Sequence, residues 1–201
     1  MSARWFLKRL AFVTSLFVVS PLILVSWLEK IIGKGEILFV GTSQLLALIP
    51  GFAGTWLRAA YYYASLEKSS WEVHIGFGSI FTHRGATLGK NVSMGAYCVI
   101  GHADISSKVM MASRISIPSG KRQHIDEHGL LSSTPRFERV AIGKESWIGE
   151  GAIIMANVGE HCIVSAGAVI VKEMPAACLL AGNPARVIKE LDHYADVTSV
   201  N

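Results

Sequence analysis

Two histidines four residues apart, His124 and His128, stand in the segment IPSGKRQHIDEHG, Ile117–Gly129. An imidazole titrates near neutrality, so it can take a proton and return it within one reaction cycle. Asp126 and Glu127 are carboxylates that can orient either ring, or stand solvated on a loop. Lys121, Arg122, Gln123 and Arg136 add cations and an amide able to face a sugar or a lipid phosphate. The 3 cysteines, Cys98, Cys162 and Cys178, are few and odd in number, which fits a reducing compartment and reads as small core side chains. A net charge of +4 suits an anionic lipid surface or a phosphorylated small ligand. There is no long Lys/Arg tract, zinc-finger spacing or aromatic RNA-binding signature, so nucleic acid is not an expected partner.

The elements that must position these groups come from an internal repeat. From Leu88 the chain divides into LGKNVS, MGAYCV, IGHAD, ISSKVM, MASRIS, IPSG and, after an interruption, IGKESW, IGEGAI, IMAN, VGEHCI, VSAGAV, IVKEMP. An aliphatic residue or Met opens each unit, usually followed by Gly, Ala or Ser. That period belongs neither to an amphipathic helix nor to an alternating strand. It predicts short flat strands and turns, three per coil, with the opening side chains stacked inside a parallel β-helix. IGHAD and IMAN are short, which predicts tightened turns. WEVHIGFGSIFTHRGAT, from Trp71, reads as a first, irregular coil. The insertion over 119–139 falls between two coils and is expected to project from them.

With these residues the chain resembles the left-handed β-helix, hexapeptide-repeat acyltransferases, a family that includes serine, galactoside, maltose and streptogramin O-acetyltransferases. The resemblance covers roughly Trp71 to Lys189. Its most specific part is WIGEGAIIMANVGEHCIVSAGAVIVKEMPAACLLAGNPARVIK, Trp147–Lys189. It implies a homotrimer that binds acyl-CoA in grooves between adjacent prisms, with a projecting loop that carries the catalytic histidine near its start. ISIPSGKRQHID is similar to such loop starts, which maps general base catalysis onto His124. The histidine comes about two residues later than in the simplest members, and His128 is the alternative. The base would deprotonate an acceptor hydroxyl as it attacks a thioester, with no enzyme nucleophile. The resemblance also implies that Trp147 borders the CoA groove; its other reading is a surface aromatic covering the adjacent coil. Ser165, Ala166 and Gly167 would follow the pantetheine, where backbone N–H groups can steady an oxyanion. Asn183, Pro184 and Ala185 would shape the adenine end, and Lys172, Arg186 and Lys189 would meet the phosphates. Arg122 and Asp126 are assigned to the acceptor. His74, His83, His102 and His161 fall in repeat units as outward polar residues, and His193 in a tail, ARVIKELDHYADV, that reads as a short helix over the last coil.

The first seventy residues differ in kind. Hydrophobic residues make up 51% of the chain and mean hydropathy is +0.40. Leu10–Leu28 and Ile37–Leu57 contain no charge, and each is about the ~20 residues that a crossing helix needs. EKIIGKGE, Glu29–Glu36, joins them, which predicts a helical membrane hairpin. Pro50, Gly51 and Gly54 leave open a broken, re-entrant or interfacial second segment. Arg4, Lys8 and Arg9 precede the first run, with Arg58 and Lys68 expected on the same side. A cleaved signal peptide lacks its small-x-small site, and two buried helices of a soluble core are the remaining reading.

The expected organisation is a membrane-associated helical segment over 1–70, a left-handed parallel β-helix over 71–189 and a tail over 190–201. The expected function is a membrane-anchored transfer of an acetyl group from acetyl-CoA to a hydroxyl of a sugar or glycan. The acceptor would be a surface polysaccharide or lipid-linked precursor, at the cytoplasmic face of a bacterial-type inner membrane, where acetyl-CoA is found. Acetyl-CoA is a co-substrate, with no tightly bound cofactor and no metal. The alternatives are a non-catalytic trimeric scaffold and a γ-carbonic-anhydrase-like zinc hydratase, which needs three well-placed imidazoles.

Overall fold

Every residue that opens a repeat unit is buried, from Leu88, Met94 and Ile100 to Val158, Val164 and Ile170. They stack in three inward columns, because three sheets of 4, 7 and 5 short strands, parallel except for the last strand of the second, wind into one β-solenoid. The structure, a computed structural model, describes residues 3–33 and 35–191. The first face carries Lys68–Ser69, Thr87–Leu88, Ala103–Ile105 and Val140–Ile142. The second carries His74–Ile75, Ser93–Met94, Met110–Met111, Trp147–Ile148, Ile163–Val164 and Cys178–Gly182, and the third runs from Ile80–Phe81 to Val169–Ile170. The ladder begins slightly before Trp71, since Lys68 already pairs with Thr87.

Two of the three corners are locked. Asn91, Lys108, Glu145, His161 and Ala177 have positive φ between the first and second faces, as do Gly78, Tyr97, Arg114, Gly151 and Gly167 between the second and third. A left-handed residue in every coil makes these turns identical and stackable. The corner from third to first face has no such column, and it alone absorbs changes in length. IGHAD and IMAN tighten there without loss of register, Ala103–Ile105 pairing with Val140–Ile142 and Val158 bridging Ile142 and Met174. The long insertion leaves from this corner too. The three cysteines are unpaired and buried in the other two corners, as small core side chains.

Helices α1 (Ala3–Ile32), α2 (Ile37–Ala47) and α3 (Gly51–Ser65) close the open end of the solenoid. The second apolar run is thus two helices broken at Leu48–Pro50, as the proline and glycines allow. The rings of Tyr62 and Phe81 meet at 4.7 Å, and the Ser43 hydroxyl accepts from the Phe81 N–H at 3.1 Å. Glu29 Oε1 and Oε2 accept from the Leu38 and Phe39 N–H groups at 2.7 and 3.0 Å, capping the first turn of α2. Glu29 also pairs with Arg84, while Glu36 takes the His83 ring and the Arg84 N–H, each at 2.8 Å.

Arg58 is a fully buried cation. It donates to the carbonyls of Ile75, Leu46 and Ile49 at 3.0, 3.0 and 2.8 Å, because the broken end of α2 leaves carbonyls that the helix cannot satisfy. At the other terminus, Ala185–Glu190 is a strand antiparallel to Cys178–Gly182, where a helix was expected to begin. Its antiparallel return pairs the ladder's last edge. The remainder of that expected helix, with His193, lies outside the described residues.

Candidate active site

The insertion is an ordered hairpin. The Ile125 and Leu131 backbones bridge in antiparallel fashion, and the N–H groups of Ser132 and Arg136 donate to the carbonyls of His124 and Gln123 at 2.8 Å each. At its base the Glu138 N–H donates to the Ser119 carbonyl at 3.0 Å, and Lys121 Nζ to the Val171 carbonyl at 3.2 Å. The return arm is pinned by Phe137, its ring 4.3 Å from that of His83, and by Arg139, which reaches Glu67, Asp104 and His102.

His124 sits on the outgoing arm with an exposed side chain that has no hydrogen-bonding partner among the described residues. His128 lies at the tip, exposed, 3.7 Å from Glu127. Asp126 orients neither ring. Its Oδ1 accepts from the N–H groups of His128 and Leu130 at 2.9 and 2.8 Å, folding the tip as an Asx turn does. Arg122 is exposed beside the outgoing arm.

The other expected residues gather elsewhere. Trp147 stands outward on the second face, 42% exposed, between Met110 and Ile163. Ser165–Gly167 form the next corner, stacked on Gly149–Gly151: a Cβ at Gly149 would lie 2.5 Å from the Ala166 nitrogen. The chain then reaches Gly182, Asn183 and Pro184 at that corner in the last coil, with the Ser165 N–H donating to the Leu180 carbonyl at 2.8 Å. Ala185 and Arg186 begin the returning strand. In the Ser165–Gly167 turn the N–H of Gly167 is taken by the Glu150 carbonyl at 2.8 Å, while that of Ala166 has no acceptor among the described residues.

The expected site is therefore divided within one chain. Trp147, Ser165–Gly167 and Asn183–Arg186 lie at and beside the corner between the second and third faces. His124 and Arg122 project from the corner between the third and first. Lys172 follows the strand Val169–Ile170 at the histidine's corner, next to Val171, which Lys121 touches, and not with Arg186. Lys189 is on the returning strand opposite Leu179.

Sequence reasoning passed over Arg114. It stands in the same corner column as Gly151 and Gly167, paired with Glu150 at 2.6 Å. The fourth place in its repeat unit, shared with Gly151 and Gly167, was the available signal. Also unnoticed was the outward surface of two faces. Met110, Trp147 and Ile163 on the second and Val99 and Ile153 on the third are exposed apolar residues, whereas the first face shows Lys68, Thr87 and Asp104. The remaining repeat histidines serve the fold: His83 holds Glu36, His102 meets Arg139, and His161 lies 3.4 Å from Glu145. Burial, then the nearby Arg58 charge, lowers the pKa of His74.

No family profile matches the chain. Curated relatives share sequence with it: 2,3,4,5-tetrahydropyridine-2,6-dicarboxylate N-acetyltransferase of Staphylococcus aureus is 34% identical over 83 residues, 39% of this chain and 35% of that protein. The chain thus matches about a third of the length of these relatives. Among solved structures, a maltose O-acetyltransferase from Clostridium difficile 630 superposes with a TM-score of 0.65 at 22% identity, covering 76% of this chain and 84% of that one. A mutant of AntD, an N-acyltransferase from Bacillus cereus, in complex with dTDP and coenzyme A, gives 0.50 at 18% identity over 66% and 83% of the two chains. The shared fold is the hexapeptide-repeat β-solenoid, and the sequence similarity is to acetyltransferases.

Proposed function

On the premise that this is a hexapeptide-repeat chain with acetyltransferase-like sequence, we propose that it transfers an acetyl group from acetyl-CoA to a hydroxyl of a sugar or glycan, with His124 as general base. The observation that carries the reading is the divided site. A loop presents an exposed imidazole at one corner, turns of small residues stack at another, and the two faces meeting at that second corner are apolar outside. Three solenoids side by side would cover those faces and bring the His124 loop of one subunit against the Trp147 and Ser165–Gly167 edge of the next. The homotrimer is part of the proposal.

In the reaction the His124 imidazole takes the proton of the acceptor hydroxyl as its oxygen bonds to the thioester carbonyl carbon. The C–S bond then breaks, and the imidazolium returns its proton to the departing CoA sulfur. The free N–H of Ala166 is placed to meet negative charge on the carbonyl oxygen. Arg186 and Arg114 flank the same corner as cations for the CoA phosphates, and Arg122 serves the acceptor side. Asp126 acts by shaping the loop that holds His124. The apolar helical cap supports a membrane-associated enzyme; the proposal puts it on the cytoplasmic face of a bacterial-type inner membrane, where acetyl-CoA and a lipid-linked or surface-polysaccharide precursor would meet.

The test is thiol release from acetyl-CoA by detergent-purified protein and by His124→Ala, with hydroxyl and amine sugar acceptors and with CoA binding measured on both. Binding by both and release by wild type alone, greater with the hydroxyl acceptor, is the expected result. Preference for the amine would move the acceptor class toward that of the named N-acetyltransferase relatives. Absence of CoA binding to either would leave the trimeric scaffold as the better reading.

A further inference from the structure

Helix α1 is inverted relative to an ordinary surface helix. Its buried stripe is Phe12, Ser15, Val19 and Ser26, which pack toward α3 and the solenoid. Its opposite stripe, Phe6, Leu10, Val13, Phe17, Leu24 and Leu28, recurs at spacings of three, four and seven and is exposed throughout, Phe17 at 81%. At 100° per residue, Lys8, Arg9, Glu29 and Lys30 all fall on the half toward the solenoid or on its flanks, none on the apolar stripe. Leu45 and Leu48 of the α2 end and Phe52 of α3 add to the exposed apolar surface of the cap.

This helix meets the same coil of the solenoid toward both of its ends. Near its start, Trp5 and Lys8 line a cavity of about 680 Å³ with Trp71 and His74, and the Phe12 ring lies 5.9 Å from Trp71. Near its end, Glu29 pairs with Arg84, which also donates to the Ser26 carbonyl at 2.5 Å and to its hydroxyl at 2.9 Å. Trp71, His74 and Arg84 belong to the first coil or its approach. Between its contacts at Phe12 and Glu29 the helix runs about 26 Å at 1.5 Å per residue. A helix crossing a hydrocarbon core of about 30 Å has its ends on opposite sides of the bilayer. The ends of α1 instead return to the same polar coil of a single solenoid.

We infer that the cap is monotopic: α1 lies in the plane of one leaflet, its Phe6–Leu28 stripe in the acyl region, and none of the described helices need cross. The occupant of that face is a lipid leaflet containing anionic headgroups, which Arg9 on the flank of the stripe and Lys30 at the helix end meet at the rim, with Trp27 at the level suited to amphipathic rings. Solenoid and N-terminus are then on the same side of the membrane without a hairpin, and the capped ends of three parallel solenoids would share one membrane-facing plane. The inference rests on the membrane association proposed above and not on the acyl transfer.

The experiment uses the full chain bound to phosphatidylglycerol–phosphatidylcholine vesicles, with a fluorophore on single introduced cysteines at Phe6, Phe17 and Leu28. All three positions are exposed, and the native cysteines are buried. Quenching by lipids spin-labelled at shallow and deep acyl positions reports depth. An in-plane helix gives equal, shallow depths at all three sites, and Phe17→Glu lowers the vesicle partition constant about tenfold, the factor for roughly 1.4 kcal/mol. Strong deep quenching at Phe17, with Phe6 and Leu28 shallow, would mean a crossing helix and would overturn the monotopic reading alone. No quenching at any site would overturn membrane association as well.

Discussion

Replacing Arg58 with Met tests the joint between cap and solenoid. The guanidinium is fully buried and faces no carboxylate; it is held by the carbonyls of Leu46, Ile49 and Ile75, two from the broken end of α2 and one from the first coil. Methionine approximates the stem but leaves the Ile49 and Ile75 carbonyls without donors and Leu46 with only the Ile49 N–H at 3.3 Å, and a buried polar group left unsatisfied costs roughly 1–3 kcal/mol. Relief from burying a charge offsets part of that sum, so the expected net loss is about 3 kcal/mol. For a domain of this size this corresponds to a fall of about 6–12 °C in Tm. Gly54→Ala should act from the other side, since its Cβ would lie 1.8 Å from the Ile49 oxygen and 2.8 Å from Arg58 Nη1, forcing backbone away from the guanidinium. The assay is thermal unfolding in detergent followed by tryptophan fluorescence. Four of the 5 tryptophans, Trp5, Trp27, Trp56 and Trp71, lie in or beside the cap, so the signal reports the joint. Arg58→Met with an unchanged midpoint would refute the view that these three bonds join the two parts.

Four further outcomes are expected. His124→Ala should lower acetyl transfer by about 10²-fold or more, the usual worth of a general base, with CoA affinity and Tm unchanged, while His128→Ala leaves turnover alone. Asp126→Ala should lower kcat by loosening the hairpin that holds His124, without changing the KM for acetyl-CoA; a rise in acceptor KM alone would instead make Asp126 a direct acceptor contact. Gly149→Ala should weaken CoA binding and lower Tm by several degrees, because its Cβ would press on the Ala166 nitrogen and the Ser165 carbonyl carbon, neither of which can move freely. Glu36 is lowered in pKa: burial pushes it up, but the hydrogen bonds from His83 and the Arg84 N–H outweigh that. Its contribution is present above the unfolded carboxylate pKa of about 4.3 and is lost as pH falls through the lower folded value. The Tm gap between wild type and Glu36→Gln should therefore be full at pH 7 and close in acid; a gap independent of pH would contradict it.

Much of this molecule is written along one dimension. The period of six selected the inward columns from Leu88 to Ile170, since a side chain that opens each flat strand has nowhere else to point, and the small residues after them mark where coils touch. The break in the second apolar run was legible at Pro50. The division of the candidate site was not, because sequence order does not state which corner of a prism a turn occupies. Only winding three faces into a coil separates Lys172 from Arg186, puts the His124 loop at the one corner without a left-handed column, and turns Asp126 onto its own backbone. The burial of Arg58 was not legible either, because nothing local to it states that α2 ends where its carbonyls need a donor. The two apolar runs supplied hydrophobicity, a local property. Whether α1 crosses a bilayer or lies within it depends on where its two ends are tied, and those ties, to Trp71 and Arg84, exist only in the folded chain.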